Sequence, residues 1–391
     1  MEKICDVVKC TSCKACINIC PKDAIEVVLN DMGQMVPSIN QEKCVNCGLC
    51  LSICPVNKPV TLNNITKCYA AWTKDVEDKM YSSSGGVASA FAKEFSQKGG
   101  KVFGASFTTY NNELRLDIKM ADSDKDLRAF RGSKYVQSDV GYTYREVKQC
   151  LEAGKEVLYI AMPCQIAGLK SFLKKEYDRL YTVDIICHGM PPIQYLQEHI
   201  ESISKNNRVN NLLFRGKYDF ELALFKKGIE KPFYKKKSRE DTYFISFLEG
   251  LIYKKSCYRC EYAQPNRTGD ITIGDFWGLN KNSLKEPYKG RISVVLVNTN
   301  KGKRLLDMCS NRMYLEERKV HEAVEGNAQL RKPSVCHPKR MEFEDAYGKY
   351  GFTGAMSAIG IYRTVRYNRI INILKTPFRP IKRIFFSLLK D

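Results

Sequence analysis

The chain has 391 residues, 44% of them hydrophobic and 27% charged, which excludes a disordered or fibrous protein and leads us to expect two to three domains with ample core. Its formal net charge of +20 invites a nucleic-acid reading, but no helix-turn-helix, zinc-finger or aromatic RNA-binding pattern accompanies the charge, so no nucleic-acid partner is expected. The longest apolar runs, VLYIAM (157–162) and ISVVLV (292–297), fall well short of the ~18 residues needed to span a bilayer.

Seventeen cysteines are the unusual feature of the composition. The stretch from Met1 to Lys9 is charged and runs straight into a cysteine motif, so no export signal is expected and the compartment is read as a reducing cytoplasm. Clustered short spacings in a long chain of this kind suit metal ligation better than disulfides.

Two runs share one pattern. CTSCKACINICP (10–21) and CVNCGLCLSICP (44–55) both read C-x2-C-x2-C-x3-C-P, offset by 34 residues. Four soft thiolates are what a cubane iron–sulfur cluster requires, and in two-cluster modules the fourth cysteine of each run serves the other cluster. Cluster I is therefore assigned to Cys10, Cys13, Cys16 and Cys54, and cluster II to Cys44, Cys47, Cys50 and Cys20. Zinc ribbons pair C-x2-C with C-x2-C and need neither the third and fourth cysteines nor the prolines Pro21 and Pro55. Between the runs, AIEVVL (24–29), the turn NDMGQ (30–34) and MVPSI (35–39) predict a β-hairpin. The fold class expected for this part is an α+β ferredoxin module. Each oxidised cluster carries about −2, so three clusters would lower the net charge to about +14.

Further along, SSSGG (82–86) precedes a helix-like VASAFAKEFSQ (87–97). Ser83 and Ser84 stand at the cap, Gly85 and Gly86 allow close backbone approach, and free N–H groups at such a helix start suit an anion; an ordinary capped helix explains the same residues. RGSKY (131–135) adds a cation, a flexible glycine and a hydroxyl, a weak motif alone. No G-x-G-x-x-G follows any strand, which excludes a Rossmann flavin site.

VLYIAM (157–162) reads as a buried strand ending in Pro163-Cys164-Gln165, followed by a helical IAGLKSFL (166–173); LYTVDII (180–186) is a second strand, ending in Cys187-His188-Gly189. A strand–helix–strand unit makes a parallel pair, so both cysteines emerge at the carboxyl edge of the sheet, where open α/β sheets hold ligands. Cys257 and Cys260 form a lone C-x2-C in SCYRCEY (256–262). Two and two make four thiolates for a third cluster; the same spacing allows Cys164 and Cys187 to be buried small residues. Cys5, Cys68, Cys150, Cys309 and Cys336 carry no spacing signature.

The tail YRTVRYNRIINILKTPFRPIKRIFFSLLK (362–390) holds eight basic residues and no acidic one. It is expected to associate with an anionic membrane surface or a partner through its apolar face, against the alternative of a helix packed on the body of the protein.

From Tyr81 to Gly278 the chain resembles the beta-subunit family of the coenzyme F420-reducing hydrogenases and dehydrogenases, through YSSSGGVASAF (81–91), FRGSKYVQSD (130–139), IAMPCQIAGL (160–169), DIICHG (184–189), SCYRC (256–260) and DITIGDFWG (270–278). The resemblance implies an α/β core with a mixed, largely parallel sheet that binds FAD and its own iron–sulfur cluster. It assigns Cys164, Cys187, Cys257 and Cys260 to that cluster. Ser83, Ser84, Gly85, Gly86, Gly132, Ser133, Lys134 and Asp275 become FAD-site candidates, with His188, Lys134 and Tyr135 as proton-delivering catalytic candidates. The implied activity is a flavin-dependent iron–sulfur oxidoreductase passing electrons between [4Fe–4S] clusters, FAD and a two-electron acceptor. Reduced ferredoxin or a reduced deazaflavin would be its carrier, and a small molecule or sugar of a polysaccharide pathway its substrate. The alternative is a non-catalytic electron-transfer subunit. Boundaries are placed at 1–62 (ferredoxin), 66–150 and 151–345 (two parts of the core) and 346–391 (basic tail), with the protein cytoplasmic and peripheral at the membrane's inner face.

Overall fold

The computed structural model describes residues 3–110, 113–204, 208–216 and 219–375. The chain gathers into two compact units, both discontinuous in sequence: residues 1–194 with 253–335, and 195–252 with 336–391.

In the first unit the short helix Ala15–Ile19 follows the first cysteine turn, and Leu49–Ser52 sits within the second cysteine run. Between them β1 (Ile25–Leu29) pairs antiparallel with β2 (Met35–Ile39) around a turn in which Asn30 Oδ1 accepts from Met32 N and Gln34 N. This hairpin is the one the alternating apolar residues predict.

An eight-stranded mixed sheet forms the core. It is built from β3 (Lys67–Thr73), β4 (Lys101–Tyr110), β5 (Glu113–Met120), β6 (Val157–Ala161), β7 (Leu180–Ile185), and, after three strands of the second unit, β11 (Ile271–Asp275), β12 (Ser293–Val297) and β13 (Met313–Arg318). The order is β13-β3-β12-β11-β7-β6-β4-β5, with β11, β7, β6 and β4 mutually parallel and the flanking pairs antiparallel. The central strands are nearly continuous in apolar residues because both of their faces are covered. Leu158 and Val183 pack with Val87, Phe91 and Phe95 of the helix Val87–Gln97 and with Leu305 and Leu306. On the other face Val157, Tyr159 and Leu180 pack with Tyr144, Val147, Ile166, Leu169 and Phe172 of the helices Thr143–Glu152 and Pro163–Leu173.

The cysteine-rich module is fastened to that second face. Cys13, Ala15 and Ile53 belong to its apolar cluster. Arg145 donates to the carbonyls of Asn18 (2.7 Å), Ile17 (3.2 Å) and Cys20 (3.0 Å), satisfying the end of the helix Ala15–Ile19, and pairs with Asp23 (2.7 Å). Asn18 Nδ2 donates to Gly141 O at 2.9 Å, and buried Lys14 pairs with Asp139.

In the second unit β8 (Asn211–Arg215), β9 (Phe220–Phe225) and β10 (Tyr234–Lys237) form an antiparallel sheet. Buried Asp241 accepts from His199 Nε2 (2.8 Å) and Tyr234 Oη (2.7 Å) and caps the helix Thr242–Leu248 through Phe244 N. The described part of the basic tail is the helix Ile361–Lys375, held to this unit by Asn368 and Arg369 on the carbonyls of Arg239 and Glu240. Tyr367, Ile370, Ile373 and Leu374 are exposed on it; residues 376–391 of the sequence-predicted membrane-facing segment lie outside the described residues. No helix among the described residues is long and apolar enough to cross a membrane.

The helix Pro163–Leu173 passes so close to the cysteine module that a Cβ on Gly168 would lie 2.8 Å from Cys13 Cβ and 2.9 Å from Tyr144 Oη. Gly168→Ala is expected to lower the unfolding free energy by about 1–3 kcal/mol in urea titration. Gly348→Ala, in a helix where the added methyl meets nothing, is expected to raise it by roughly 0.5–1 kcal/mol.

Candidate functional site

The two cysteine runs follow the same backbone path. Each doubles back through a left-handed residue that caps a short helix, Lys14 (φ 58°) before Ala15–Ile19 and Gly48 (φ 73°) before Leu49–Ser52. Cys10, Cys13, Cys16 and Cys54 line one cavity, and Cys20, Cys44, Cys47 and Cys50 line another. The fourth cysteine of each run thus stands with the first three of the other. Cys47 is exposed, whereas Cys13, Cys16, Cys50 and Cys54 are buried.

Cys5 joins the first set, a residue without any spacing signature. Cys5 is the leading cause that holds the thiols of Cys10 and Cys54 below the usual thiol value. Burial instead pushes Cys13 up to about 12 and Cys16 well above the usual thiol value. A cluster bound there would have to supply the positive charge that holds these buried sulfurs as thiolates.

A third cavity, of about 40 Å³, opens at the carboxyl edge of the large sheet and is lined by Cys164, Cys187, Cys257 and Cys260. The parallel pairing of β6 with β7, Ala161 opposite Asp184, carries the first two to one edge. The helix begins at Pro163, so Pro163-Cys164-Gln165 lies in its first turn rather than ahead of it, as proline at the first helical position favours. Cys257 lies in the turn Lys255–Arg259, with Cys260 closing it, and Cys257 Sγ accepts from Met190 N at 3.5 Å. Ordinary core cysteines would leave a close-packed interior; here four sulfurs surround a space larger than one water molecule requires. Among the described residues no group of three or more His, Cys, Asp or Glu side chains stands close enough together to hold a metal ion. Four soft donors are the set that an iron–sulfur cluster takes.

Beneath the third cavity Asp184, fully buried, accepts from Arg267 Nη2 (3.1 Å), Thr268 N (3.1 Å) and Oγ1 (2.8 Å), and Gly269 N (2.8 Å). Arg267 also donates to the carbonyl of Tyr262 (2.8 Å) and to Thr272 Oγ1 (3.1 Å). Burial is the first cause that lifts Cys187 and Cys260, the latter to about 11, and the nearby Arg267 works against it in both.

The other predicted residues fall in two places. Ser83 Oγ accepts from Ser133 N, bringing SSSGG and RGSKY together, with Gly132 alongside. Arg291 Nη1 donates to the carbonyls of Ser82 (3.3 Å) and Ser83 (3.4 Å). Ser84 Oγ donates to Ile292 O (3.1 Å), and Gly85 N to Ser293 Oγ (2.9 Å), the residue opposite Asp275 in the sheet. A Cβ on Gly85 would lie 2.2 Å from Ala71 O, so close packing on β3 requires glycine there. Gly86 (φ 80°) caps the helix Val87–Gln97 without a side-chain hydrogen bond, leaving its first N–H groups available to an anion. Lys134 Nζ turns inward to the carbonyls of Phe130, Arg131 and Gly132 at 2.9–3.1 Å, and burial lowers it to about 7. His188 is exposed and lines the third cavity, its carbonyl accepting from Ser334 Oγ. Tyr135 lies near Tyr253, whose phenol is pushed well above its usual value by burial and then by Cys187.

Residues 9–58, which cover the first two cysteine sets, match the family model of the 4Fe-4S dicluster domain, and residues 154–323 match the model for the C terminus of the coenzyme F420 hydrogenase/dehydrogenase beta subunit. A solved structure, the xenon-derivatised F420-reducing [NiFe] hydrogenase complex from Methanosarcina barkeri, contains a chain that is 14% identical, aligned over 76% of this chain and 92% of that one with a TM-score of 0.46. No curated protein matches the chain. The cysteine-lined module and the matched domain define an iron–sulfur electron-transfer protein of oxidoreductase type. More particularly, its core is similar over residues 154–323 to the C-terminal domain of coenzyme F420 hydrogenase/dehydrogenase beta subunits, behind a 4Fe-4S dicluster domain.

Sequence reasoning passed over Cys5, Arg267 and Arg291, isolated residues whose roles arise from contacts distant in the chain. Arg267→Met should strand the Asp184 charge in the interior and cost about 3–5 kcal/mol in chemical denaturation.

Proposed function

We propose that the chain is an iron–sulfur flavoprotein oxidoreductase carrying three [4Fe–4S] clusters and one FAD, which delivers electrons singly from a redox carrier and pairs them for a two-electron organic substrate or deazaflavin. What carries this reading is the sorting of the twelve motif cysteines into three sets of four, each around its own cavity, the first of which Cys5 also lines. Bound clusters supply one-electron steps and a bound flavin the pairing of two electrons. The chain's own residues do the rest. The exposed Cys47 marks the Cys20/Cys44/Cys47/Cys50 set as the side open to an external carrier. The Cys10/Cys13/Cys16/Cys54 set is the inner one, since Thr11 lines both its cavity and the third.

For the flavin, the uncapped start of the helix Val87–Gln97, the Ser83–Ser133 contact and Arg291 beside it suit a pyrophosphate. His188 on the third cavity and Tyr135 near Tyr253 are the groups suited to hold or deliver a proton. Lys134, with three carbonyl acceptors, positions the RGSKY turn.

Anaerobically purified chain should contain about twelve iron atoms and one FAD, read by iron assay and absorption spectroscopy. Cys187→Ser should lose about four of those irons and keep the rest. Eight irons and no flavin in the unaltered chain would sink the proposal. The beta-subunit description of the matched family favours a second reading, an electron-transfer subunit whose partner performs the chemistry. Turnover of candidate acceptors by the isolated chain with reduced ferredoxin or reduced deazaflavin distinguishes the two: activity that appears only when a copurifying partner is added identifies the subunit.

A further inference from the structure

Lys254 lies three residues before Cys257. Its backbone is fixed in the wall of the third cavity, where its N–H donates to Met190 O at 3.1 Å and its carbonyl accepts from Cys257 N at 2.9 Å. Its side chain leaves that loop for the ferredoxin module, where Nζ donates to Ser12 Oγ at 2.6 Å, across 242 positions of sequence. Ser12 lies between Cys10 and Cys13 and lines their cavity, and its own hydroxyl is engaged with Met35 O.

The side chain is 2% exposed, and among the described residues no carboxylate lies within salt-bridge reach of it. An ammonium buried without a counter-charge is costly. The environment balances if both neighbouring cysteine sets are anionic, since a [4Fe–4S] centre with four thiolates carries about −2 when oxidised. Neither Lys254 nor Ser12 lines the cavity of the Cys20/Cys44/Cys47/Cys50 set.

We infer that Lys254 is a positioning residue for electron transfer, a buried cation placed between the inner ferredoxin site and the core site that raises the reduction potential of both and bridges them through Ser12. The inference rests on the three-cluster reading. The step it serves is a single-electron transfer: one electron leaves the inner ferredoxin site, which is oxidised, and arrives at the core site, which is reduced, with no bond made or broken and no proton moved. A positive charge near both ends favours the electron at either and keeps the two potentials close together, whereas an apolar residue would leave two anionic centres facing each other unscreened.

The test uses the full chain, loaded anaerobically, as unaltered protein, Lys254→Met and Lys254→Arg, with iron assay and EPR-monitored redox titration as readouts. Lys254→Met should keep about twelve irons and shift two of the three cluster signals to more negative potential, leaving the third, that of the exposed site, in place. Lys254→Arg should restore both. If Lys254→Met instead fails to hold iron at the two inner sites while Lys254→Arg holds it, the cation is required by both centres and the inference stands. Unchanged potentials in a fully loaded Lys254→Met, an equal shift at all three sites, or loss of about four irons in both variants would overturn it. The last outcome would reduce Lys254 to a packing residue of its own loop. An unaltered chain that loads only eight irons is a separate result, which removes the core site before any variant is considered.

Discussion

Holding four sulfurs from three distant segments around one cavity demands that the backbone beneath them not move, and the buried Asp184 carboxylate meets that demand. Asp184 is the penultimate residue of β7, three before Cys187, and its four acceptor bonds gather the Arg267 guanidinium, the Thr268 hydroxyl and the 268–269 backbone. Through Arg267 the same network reaches the carbonyl of Tyr262, two residues past Cys260. Both segments that carry core cysteines after β6 are therefore tied to one charge pair in a low-dielectric interior. Each partner alone would be an unpaired buried charge, so the pair is kept or lost as a whole. The parallel neighbour β6 adds Cys164 by register, without further devices.

Much of the site was legible because iron–sulfur ligation leaves a local signature. Three cysteines in seven residues can be read without knowing the fold, and the crossing of Cys20 and Cys54 between sets follows from the geometry of a pair of such turns. The β6–helix–β7 unit was legible for a different reason, since apolar strands covered on both faces read as continuous runs and parallel connections have one sense. The first turn of the helix after β6 was misjudged because Pro163 looks like a break, although proline is well suited to the first helical position.

Lys254, Arg267 and Cys5 had no such signature. Each acts by reaching a segment far away in sequence, and a single lysine in YKKSC or a single arginine in QPNRTG reads as an ordinary surface cation until the tertiary approach is known. The discontinuous second unit was equally silent. Residues 195–252 and 336–375 lie far apart in the chain, and no motif shared by the two announces their association.

The clamp on the ferredoxin module has a kinetic meaning. With the carbonyls of Ile17, Asn18 and Cys20 all directed into the Arg145 guanidinium, and Asn18 in turn bonded to Gly141, the module is not a tethered shuttle that swings between a carrier and the core. On the proposed three-cluster reading, internal transit would be conduction along a fixed relay, with a rate indifferent to the viscosity of the medium. Only the encounter with an outside carrier should slow as the solution thickens.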